Sequence, residues 1–252
     1  MRFSWLIGLW IAFFGSMMAE QNRLDIFFFY SPTCENCQFV KDTLLPGINT
    51  RYGDQLHYIW LNVDTALNYE KLSRIEHHLN RPESDYPIMV LGDTVLGSRE
   101  EIEPALAAAI ARNLDQKKYT IQDSVILAIL QDSSLGIRSP QSADSEISII
   151  YFTNPKCPHC SRVEKCLDYL TGKYPQIKIS RFSDKVSEDL SLLEAFNQVY
   201  QVDDEFHLVT PALFIGDSFL INEQATDSRI IRIVENYQAN GCGNKLEEAR
   251  QL

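Results

Sequence analysis

The sequence is short of positive charge. Lysine and arginine together number 23 against 34 aspartates and glutamates, which gives a formal net charge of −11. Nucleic-acid binding needs a basic face for the phosphates, so this balance argues against a nucleic-acid partner. The charged fraction of 23% and the hydrophobic fraction of 45% are those of a globular protein. A chain of 252 residues is long enough for one large domain or for two of ordinary size.

Histidine is also scarce, and the histidines in polar or strand-like segments lack a second metal ligand nearby. His57 lies in the strand-like LHYIWLNVD, and His77 and His78 lie in the polar helical stretch LSRIEHHLN. Metal ligands normally come in groups of three or four, so no metal site is predicted at these histidines.

Charge is missing altogether from Phe3 to Ala19, a stretch of 17 residues that follows Arg2. A positive start, a short apolar segment and a small residue near position 19 predict a secretory signal peptide over 1–19. Cleavage is expected after Ala19, although Met17 is ill suited to the third position before a cleavage site. The alternative is an uncleaved membrane anchor, for which 17 residues are at the short end.

Either alternative places the remainder of the chain in an oxidising compartment. The C-terminal EARQL is not an endoplasmic-reticulum retention signal, so a bacterial periplasm is favoured over a eukaryotic lumen, with secretion as a further possibility.

The rest of the chain repeats one pattern at an offset of about 123 residues. Each copy has an apolar strand, a CxxC motif, a helix, a proline followed by an apolar strand and Gly-Asp, and a last helix. The paired segments are LDIFFFY (24–30) with ISIIYF (147–152), YPIMVLGD (86–93) with TPALFIGD (210–217), and the helical patterns at 99–114 and 227–238.

The repeat predicts two α/β domains, each a mixed sheet flanked by helices, at 21–116 and 144–241. Between them, 117–143 is expected to be a linker that contains one short helix, SVILAIL, and ends in a segment rich in Ser, Gly and Pro. The remaining 242–252 is expected to be a C-terminal tail.

The CxxC motifs have the placement of redox sites. Cys37 and Cys160 each begin the apolar stripe of the following helix, which predicts that they are sheltered. Cys34 and Cys157 lie off that stripe at the helix N-terminus, which predicts that they are exposed. Unpaired N–H groups and the helix dipole favour a thiolate there, and the thiolate is the reactive form.

Two other uses of the cysteines are less favoured. Zinc sites built from two CxxC motifs usually have 15 to 20 residues between them, whereas 119 residues separate Cys37 from Cys157. A static disulfide is the plainer alternative for an exported protein, but so short a loop adds little stability through chain entropy. Disulfide exchange is therefore the favoured chemistry.

The strand, the CxxC at a helix start and the later proline together resemble the thioredoxin fold, over nearly all of the chain after residue 19. The tandem layout is similar to protein disulfide isomerases and to two-domain glutaredoxin-like oxidoreductases, and the second motif is the CPHC of DsbA-type thiol oxidases. The resemblance implies that Pro87 and Pro211 are cis and lie against the CxxC. It also implies that the backbone of Tyr86 or Thr210 pairs with an incoming peptide.

One departure from the family lies on the strand before each CxxC. Many members carry a buried acid there, six residues ahead of the first cysteine, and this sequence has Phe28 and Tyr151 instead. Proton transfer to and from the resolving cysteine therefore has to use water or another group.

The residues between the cysteines predict unequal sites. In Cys157-Pro158-His159-Cys160, His159 can donate a hydrogen bond or positive charge to the Cys157 thiolate and make the disulfide a stronger oxidant. In Cys34-Glu35-Asn36-Cys37, Glu35 has the opposite effect, since like charge disfavours a thiolate. The second domain is therefore expected to be the more oxidising.

Two cysteines lie outside the motifs. Cys166 follows Cys160 by six residues, and Cys242 lies in the turn-rich ANGCGN. They are a candidate structural disulfide that ties down the tail, since leftover thiols in exported proteins tend to pair. The alternative for Cys166 is a buried free thiol.

Together these features predict an exported thiol–disulfide oxidoreductase. Cys34 and Cys157 would exchange with protein thiols or disulfides, and Cys37 and Cys160 would resolve the mixed disulfide. No cofactor beyond the cysteine pairs is expected, and a membrane redox partner would recharge the protein. The alternatives are a disulfide isomerase and a redox-inert peptide-binding or chaperone module on the same fold.

Overall fold

The computed structural model describes residues 23–135 and 145–252. The predicted signal peptide or anchor at 1–19 lies outside these residues, as does the end of the predicted linker at 136–143. Within the two described segments, no helix is both long and apolar enough to cross a bilayer.

Residues 23–135 contain a four-stranded mixed sheet whose strands are Leu24–Tyr30 (β1), Leu56–Asn62 (β2), Ile88–Leu91 (β3) and Thr94–Gly97 (β4). Their spatial order is β2-β1-β3-β4; β1 and β2 are parallel, and the other neighbours are antiparallel. Successive aromatic residues of β1 are buried on opposite faces, because helices cover both sides of the sheet.

Residues 145–252 repeat this sheet with the strands Ile147–Thr153 (β5), Ile177–Ser183 (β6), Ala212–Ile215 (β7) and Ser218–Ile221 (β8). The order β6-β5-β7-β8 and the strand directions match those of the first sheet. The predicted architecture of two tandem thioredoxin-like α/β domains is confirmed.

The Gly-Asp pairs of the repeat form the two-residue turns between the last strands of each sheet. Leu91 pairs with Thr94, and Ile215 pairs with Ser218, so each glycine is the first residue of its turn. Gly92 and Gly216 have φ of +56° and +57°. Glycine is preferred at this position because a two-residue hairpin turn requires a positive φ there.

The helices of the first domain are Glu35–Phe39 (α1), Leu45–Tyr52 (α2), Ala66–His78 (α3), Ser98–Asp115 (α4) and Ser124–Gln131 (α5), with a 3₁₀ turn at Gly53–Gln55. A π-helical turn, Val40–Leu44, joins α1 to α2. Pro46 explains this widening, because its ring lacks an N–H and clashes with the carbonyl four residues earlier.

The helices of the second domain are Pro158–Lys173 (α6), Ser187–Val199 (α7), Asp227–Asn236 (α8) and Leu246–Ala249 (α9), with 3₁₀ turns at Asp204–Phe206 and Asn222–Gln224. The predicted stripe of α6 is confirmed: Cys160, Val163, Leu167 and Leu170 are all buried against the sheet.

Two segments outside the predicted domain boundaries are packed parts of the domains. The short helix expected in the linker is α5, and its apolar face, with Ile126 and Leu130, lies in the core of the first domain. At the other end, the backbone of Cys242 forms an isolated parallel β-bridge with Ile147, and α9 packs against α7 through Ala249. Both segments carry apolar residues that need a partner surface, so the first domain extends to residue 135 and the second to the C-terminus.

The two domains share a packed interface between α3 and α6. Tyr69 of α3 is buried in the core of the second domain and stacks on Tyr169 with ring centroids 4.7 Å apart. Lys165 of α6 pairs with Asp64 at 3.0 Å. This interface fixes how the two CxxC motifs face one another.

Candidate functional site

The first cysteine of each motif is the N-cap of the helix that follows. Cys34 caps α1, and its Sγ accepts the backbone N–H of Cys37 at 3.1 Å. Cys157 caps α6, and its Sγ accepts the backbone N–H of Cys160 at 2.9 Å. Each sulfur therefore receives one of the unpaired N–H groups of a helix start, which stabilises a thiolate when the pair is reduced.

Both motifs are closed as disulfides, Cys34–Cys37 and Cys157–Cys160. The second cysteine of each pair is sheltered as predicted, with Cys37 3% exposed and Cys160 2% exposed. Each domain thus holds one disulfide at a helix N-terminus.

The predicted exposure of the first cysteine is correct for one site and wrong for the other. Cys157 is half-buried and opens to solvent. Cys34 is only 7% exposed, because residues around the second motif lie over it. Local helix patterning does not contain this information, since the covering residues come from the other domain.

The prolines implied by the thioredoxin resemblance are cis, at Tyr86-Pro87 and Thr210-Pro211. The Tyr86 carbonyl oxygen lies 3.7 Å from the Cys34 sulfur, so this loop lies directly against the first disulfide. Tyr86 is buried, whereas Thr210 is half-buried. The two backbone positions expected to meet a peptide therefore differ in access.

A single cleft of about 140 Å³ lies between the two motifs. Thr33, Cys34 and Tyr86 line it from the first domain, and Lys156, Cys157 and Ser161 line it from the second. The first cysteines of both pairs thus open onto the same small space.

The other residues inside the motifs also lie around this cleft. Glu35 is exposed, Asn36 is half-buried, and both line it together with Pro158. The predicted supporting residues Glu35, Asn36 and Pro158 are therefore brought together across the domain boundary.

His159 is held by two oxygen acceptors rather than by the Cys157 sulfur. Its Nδ1 lies 3.3 Å from Asp85 Oδ1 of the first domain, and its Nε2 lies 3.0 Å from the Asn222 carbonyl. Because both ring nitrogens face acceptors, the imidazolium form is favoured. The hydrogen bond to Asp85 raises the pKa of His159, partly offset by burial. The predicted positive charge beside Cys157 is supported, and the predicted direct hydrogen bond is not made.

Two residues make hydrogen bonds near the second site that the sequence did not predict. The Tyr151 hydroxyl donates to the Cys160 carbonyl at 3.0 Å, from the strand position where family members carry an acid. Asp184 Oδ2 accepts from Asn154 Nδ2 at 2.8 Å and from the Thr210 hydroxyl at 3.3 Å. Asp184 therefore ties the loop before the CxxC to the residue before the cis-proline.

The first domain has apolar residues at both of these places. Phe28 occupies the position that matches Tyr151 and is fully buried. Val63 matches Asp184, since each donates its backbone N–H to the last residue of the central strand, Tyr30 or Thr153. This match depends on a hydrogen bond of the folded chain, so the sequence alone held no signal that would have identified Asp184.

A buried ion cluster joins the domains beneath the cleft. Arg162 of α6 is 2% exposed and donates to Asp227 at 2.8 Å and to Glu76 of the first domain at 2.6 Å. It also donates to the Ser84 carbonyl at 2.7 Å and lies 5.2 Å over the Tyr86 ring.

The charges in this cluster depend on one another. Burial raises the pKa of Glu76, and the Arg162 guanidinium opposes that rise. Burial by itself would lower the pKa of Arg162, but Asp227 and Glu76 hold it well above its usual value. The arginine therefore stays charged in a site that is closed to solvent.

The predicted Cys166–Cys242 disulfide is wrong, because both residues are free thiols. The Cys166 sulfur lies 4.0 Å from the Asp227 carbonyl at the start of α8, whereas the Cys242 sulfur lies 3.9 Å from the Ser148 carbonyl beside β5. The alternative for Cys166, a buried free thiol, is confirmed. Burial and the nearby Asp227 raise the pKa of Cys166 well above its usual value, so its thiolate is disfavoured.

Two thioredoxin-like domains, each with a CxxC disulfide and a cis-proline, define the fold and the site. No protein-family model matches the chain, and no curated protein sequence matches it. Among solved structures, the chain is similar to a mutant form of the alkylhydroperoxide reductase protein AhpF of Enterococcus faecalis. That match has 14% identity and a TM-score of 0.25 over 91% of this chain and 99% of that chain. A second similar structure is the NTD_N/C domain of the same reductase, with 13% identity and a TM-score of 0.26 over 90% of this chain and 99% of that chain. These likenesses are too weak to indicate a function, which has to be inferred from the geometry of the two CxxC sites.

Proposed function

We propose that this protein is an exported thiol–disulfide oxidoreductase that exchanges disulfides with protein substrates through its CxxC pairs. The observation that carries the proposal is the N-cap position of Cys157, whose sulfur is half-buried and accepts a helix N–H, with the sheltered Cys160 bonded to it. An accessible sulfur that leaves as a stabilised thiolate, next to a sheltered resolving thiol, is the arrangement that disulfide exchange requires.

The exchange has two steps in either direction. A substrate thiolate attacks the Cys157 sulfur, forms a mixed disulfide and releases Cys160 as a thiolate, which takes up a proton. A second substrate thiolate then attacks the substrate sulfur of the mixed disulfide and releases Cys157, so the substrate is oxidised and the pair is reduced. The reverse sequence reduces a substrate disulfide, and the helix-start N–H stabilises the Cys157 thiolate in both.

The surroundings proposed for this reaction follow from the sequence. An N-terminal signal peptide or anchor would deliver the protein to an oxidising compartment, most simply a bacterial periplasm, where a membrane redox partner recharges it. The cysteine pairs would serve as the whole redox centre, without a further cofactor.

A redox titration tests the proposal. The protein is equilibrated in glutathione buffers of graded redox potential, quenched by alkylation and mapped by mass spectrometry at each cysteine. We expect Cys34–Cys37 and Cys157–Cys160 to titrate as two-electron couples, with the second pair at the higher potential. Cys166 serves as an internal control, because its buried thiol should not change.

Two outcomes would count against the proposal. If neither pair responds over the accessible range, the disulfides are structural and the redox function fails. If a Cys34→Ser/Cys157→Ser variant prevents aggregation of an unfolding protein as well as the native chain does, the activity is that of a peptide-binding module on the same fold.

A further inference from the structure

Residues 84–86 of the first domain, which lead into the cis-proline Pro87, are covered by the second domain. Arg162 donates to the Ser84 carbonyl, His159 lies against Asp85, and the Arg162 guanidinium lies over the Tyr86 ring. In a thioredoxin-like domain, this is the loop beside which an incoming peptide would lie. Here its neighbour is the N-terminal part of α6, which carries the other CxxC.

The second domain's corresponding loop is left open. Thr210 is half-buried, and its hydroxyl is oriented by Asp184. Cys157 is likewise half-buried, whereas Cys34 is 7% exposed. A protein substrate therefore has access to the Cys157 site but not to the Cys34 site.

The Cys34 site opens onto the shared cleft, and Cys157 lines its other wall. Its volume of about 140 Å³ compares with the roughly 150 Å³ of a cavity that holds a single benzene molecule. A space of this size is too small for a folded substrate, and the first cysteines of both pairs line it.

We propose that the Cys34–Cys37 pair is an internal redox partner of the Cys157–Cys160 pair. It exchanges electrons with that pair across the cleft of the same chain, and protein substrates react at Cys157. This inference rests on the proposed function and assigns different partners to its two sites.

The exchange balances without any outside reagent. With the first pair reduced and the second oxidised, the Cys34 thiolate attacks the Cys157 sulfur, and the Cys157–Cys160 bond breaks. Cys160 leaves as a thiolate and takes up a proton. The Cys37 thiol loses its proton and attacks the Cys34 sulfur, and Cys157 leaves as a thiolate. One disulfide has formed and one has opened, and two electrons have moved from the first pair to the second, which is expected to have the higher potential.

Trapping the interdomain intermediate tests the proposal. In the full-length Cys37→Ser/Cys160→Ser variant, the two first cysteines keep their sulfurs and both resolving thiols are removed. Reduced variant is treated with glutathione disulfide and mapped by mass spectrometry. We expect a monomeric Cys34–Cys157 disulfide that exceeds the doubly glutathionylated form by at least about tenfold, because the second thiol acts at a high effective concentration.

The matched control is Cys34→Ser/Cys37→Ser/Cys160→Ser, in which Cys157 should keep a stable glutathione adduct. If the test variant instead accumulates separate adducts at Cys34 and Cys157, the thiols are reactive and the relay is wrong, while the proposed function stands. If neither protein forms any adduct at the first cysteines, the relay and the proposed function both fail.

A measurement on the native chain keeps the test independent of how the variant folds. Fully reduced protein receives a substoichiometric disulfide oxidant, and the redox state of each pair is followed by quenched alkylation. Because the second pair is expected to have the higher potential, we expect a disulfide to appear first at the accessible Cys157–Cys160 and then to move to Cys34–Cys37 at a rate that does not depend on protein concentration. A second phase that speeds up in proportion to protein concentration would show transfer between molecules and overturn the proposal.

Discussion

The two CxxC sites share one backbone plan but have opposite surroundings. In both, the first sulfur caps a helix and accepts the N–H of the second cysteine. In the second domain, the Tyr151 hydroxyl bonds the Cys160 carbonyl and the Thr210 hydroxyl bonds Asp184, whereas the matching positions of the first domain are Phe28, Val63 and Tyr86.

This difference indicates that a repeated motif does not by itself mean a repeated task. The helix start sets the basic reactivity of each sulfur, and the neighbouring domain sets which molecules can approach it. The first site has the apolar Phe28 and Val63 at the matching positions and lies against the second domain, so its surroundings suit a fixed intramolecular partner. The second site is polar and open, so its surroundings suit peptides that vary.

The strongest test of the difference in access between the two sites is to trap substrates at each of them. Removing a resolving cysteine leaves a mixed disulfide unresolved, so Cys160→Ser should accumulate complexes with a disulfide-bonded test protein at Cys157. Cys37→Ser should accumulate at least about tenfold less at Cys34, because access limits a thiol's reaction as much as its pKa does. Non-reducing gels followed by peptide mapping measure both. Equal trapping at the two cysteines would mean that the first site is open to proteins.

A second large effect is expected at the buried ion cluster that joins the two domains. Arg162→Ala leaves Glu76 and Asp227 buried without their cation, which should lower the free energy of unfolding by about 3–5 kcal/mol. It should also speed alkylation of reduced Cys34, because the side chain over Tyr86 is gone. Urea denaturation and timed alkylation measure the two effects.

The matched control for Arg162 is Arg181→Ala, which removes a solvent-exposed arginine from Glu164 and Asp168. Such pairs contribute about 0–1 kcal/mol, and Cys34 should be unaffected. If both variants lose the same stability, the buried cluster does not hold the domains together.

The position of Arg162 shows where sequence reasoning stopped. The strand before each CxxC, the apolar strand before each Gly-Asp pair and the buried stripe of α6 follow from local patterns, and each was predicted. An arginine two residues after Cys160 has no local signal for burial, because Glu76, which pairs with it, lies 86 residues away in the other domain.

The same limit explains the errors on the cysteines. Cys34 was predicted to be exposed because helix periodicity describes its own domain alone, and the second domain covers it. The pairing of Cys166 with Cys242 was inferred only because they are the two cysteines outside the CxxC motifs. Their neighbours, the start of α8 for one and β5 for the other, depend on how the tail packs.

A smaller effect on stability is expected from the difference between Tyr151 and Phe28. Tyr151→Phe removes the hydroxyl that donates to the Cys160 carbonyl, and the second domain then resembles the first at this position. We expect a loss of about 1 kcal/mol in the free energy of unfolding, the usual net value of one hydrogen bond. Tyr58→Phe is the control, since that hydroxyl bonds Asn49 at the exposed surface and should matter less. A larger loss in the control would remove the special role of Tyr151.

The smallest expected effect is the pH dependence of the contact between His159 and Asp85. The hydrogen bond raises the folded-state pKa of His159 above its ordinary value of 6.5. A raised pKa means that the contact's stabilisation is fully present below about pH 6.5 and is lost as the pH rises through the folded-state value. We expect it to be under about 1 kcal/mol, because both side chains are partly exposed. The measurement is the difference in unfolding free energy between oxidised native protein and its His159→Gln variant from pH 5 to pH 9, with Asp85→Asn as the matched control. A difference that stays constant, or grows with pH, would mean that His159 is neutral in the folded protein and lends no positive charge to Cys157.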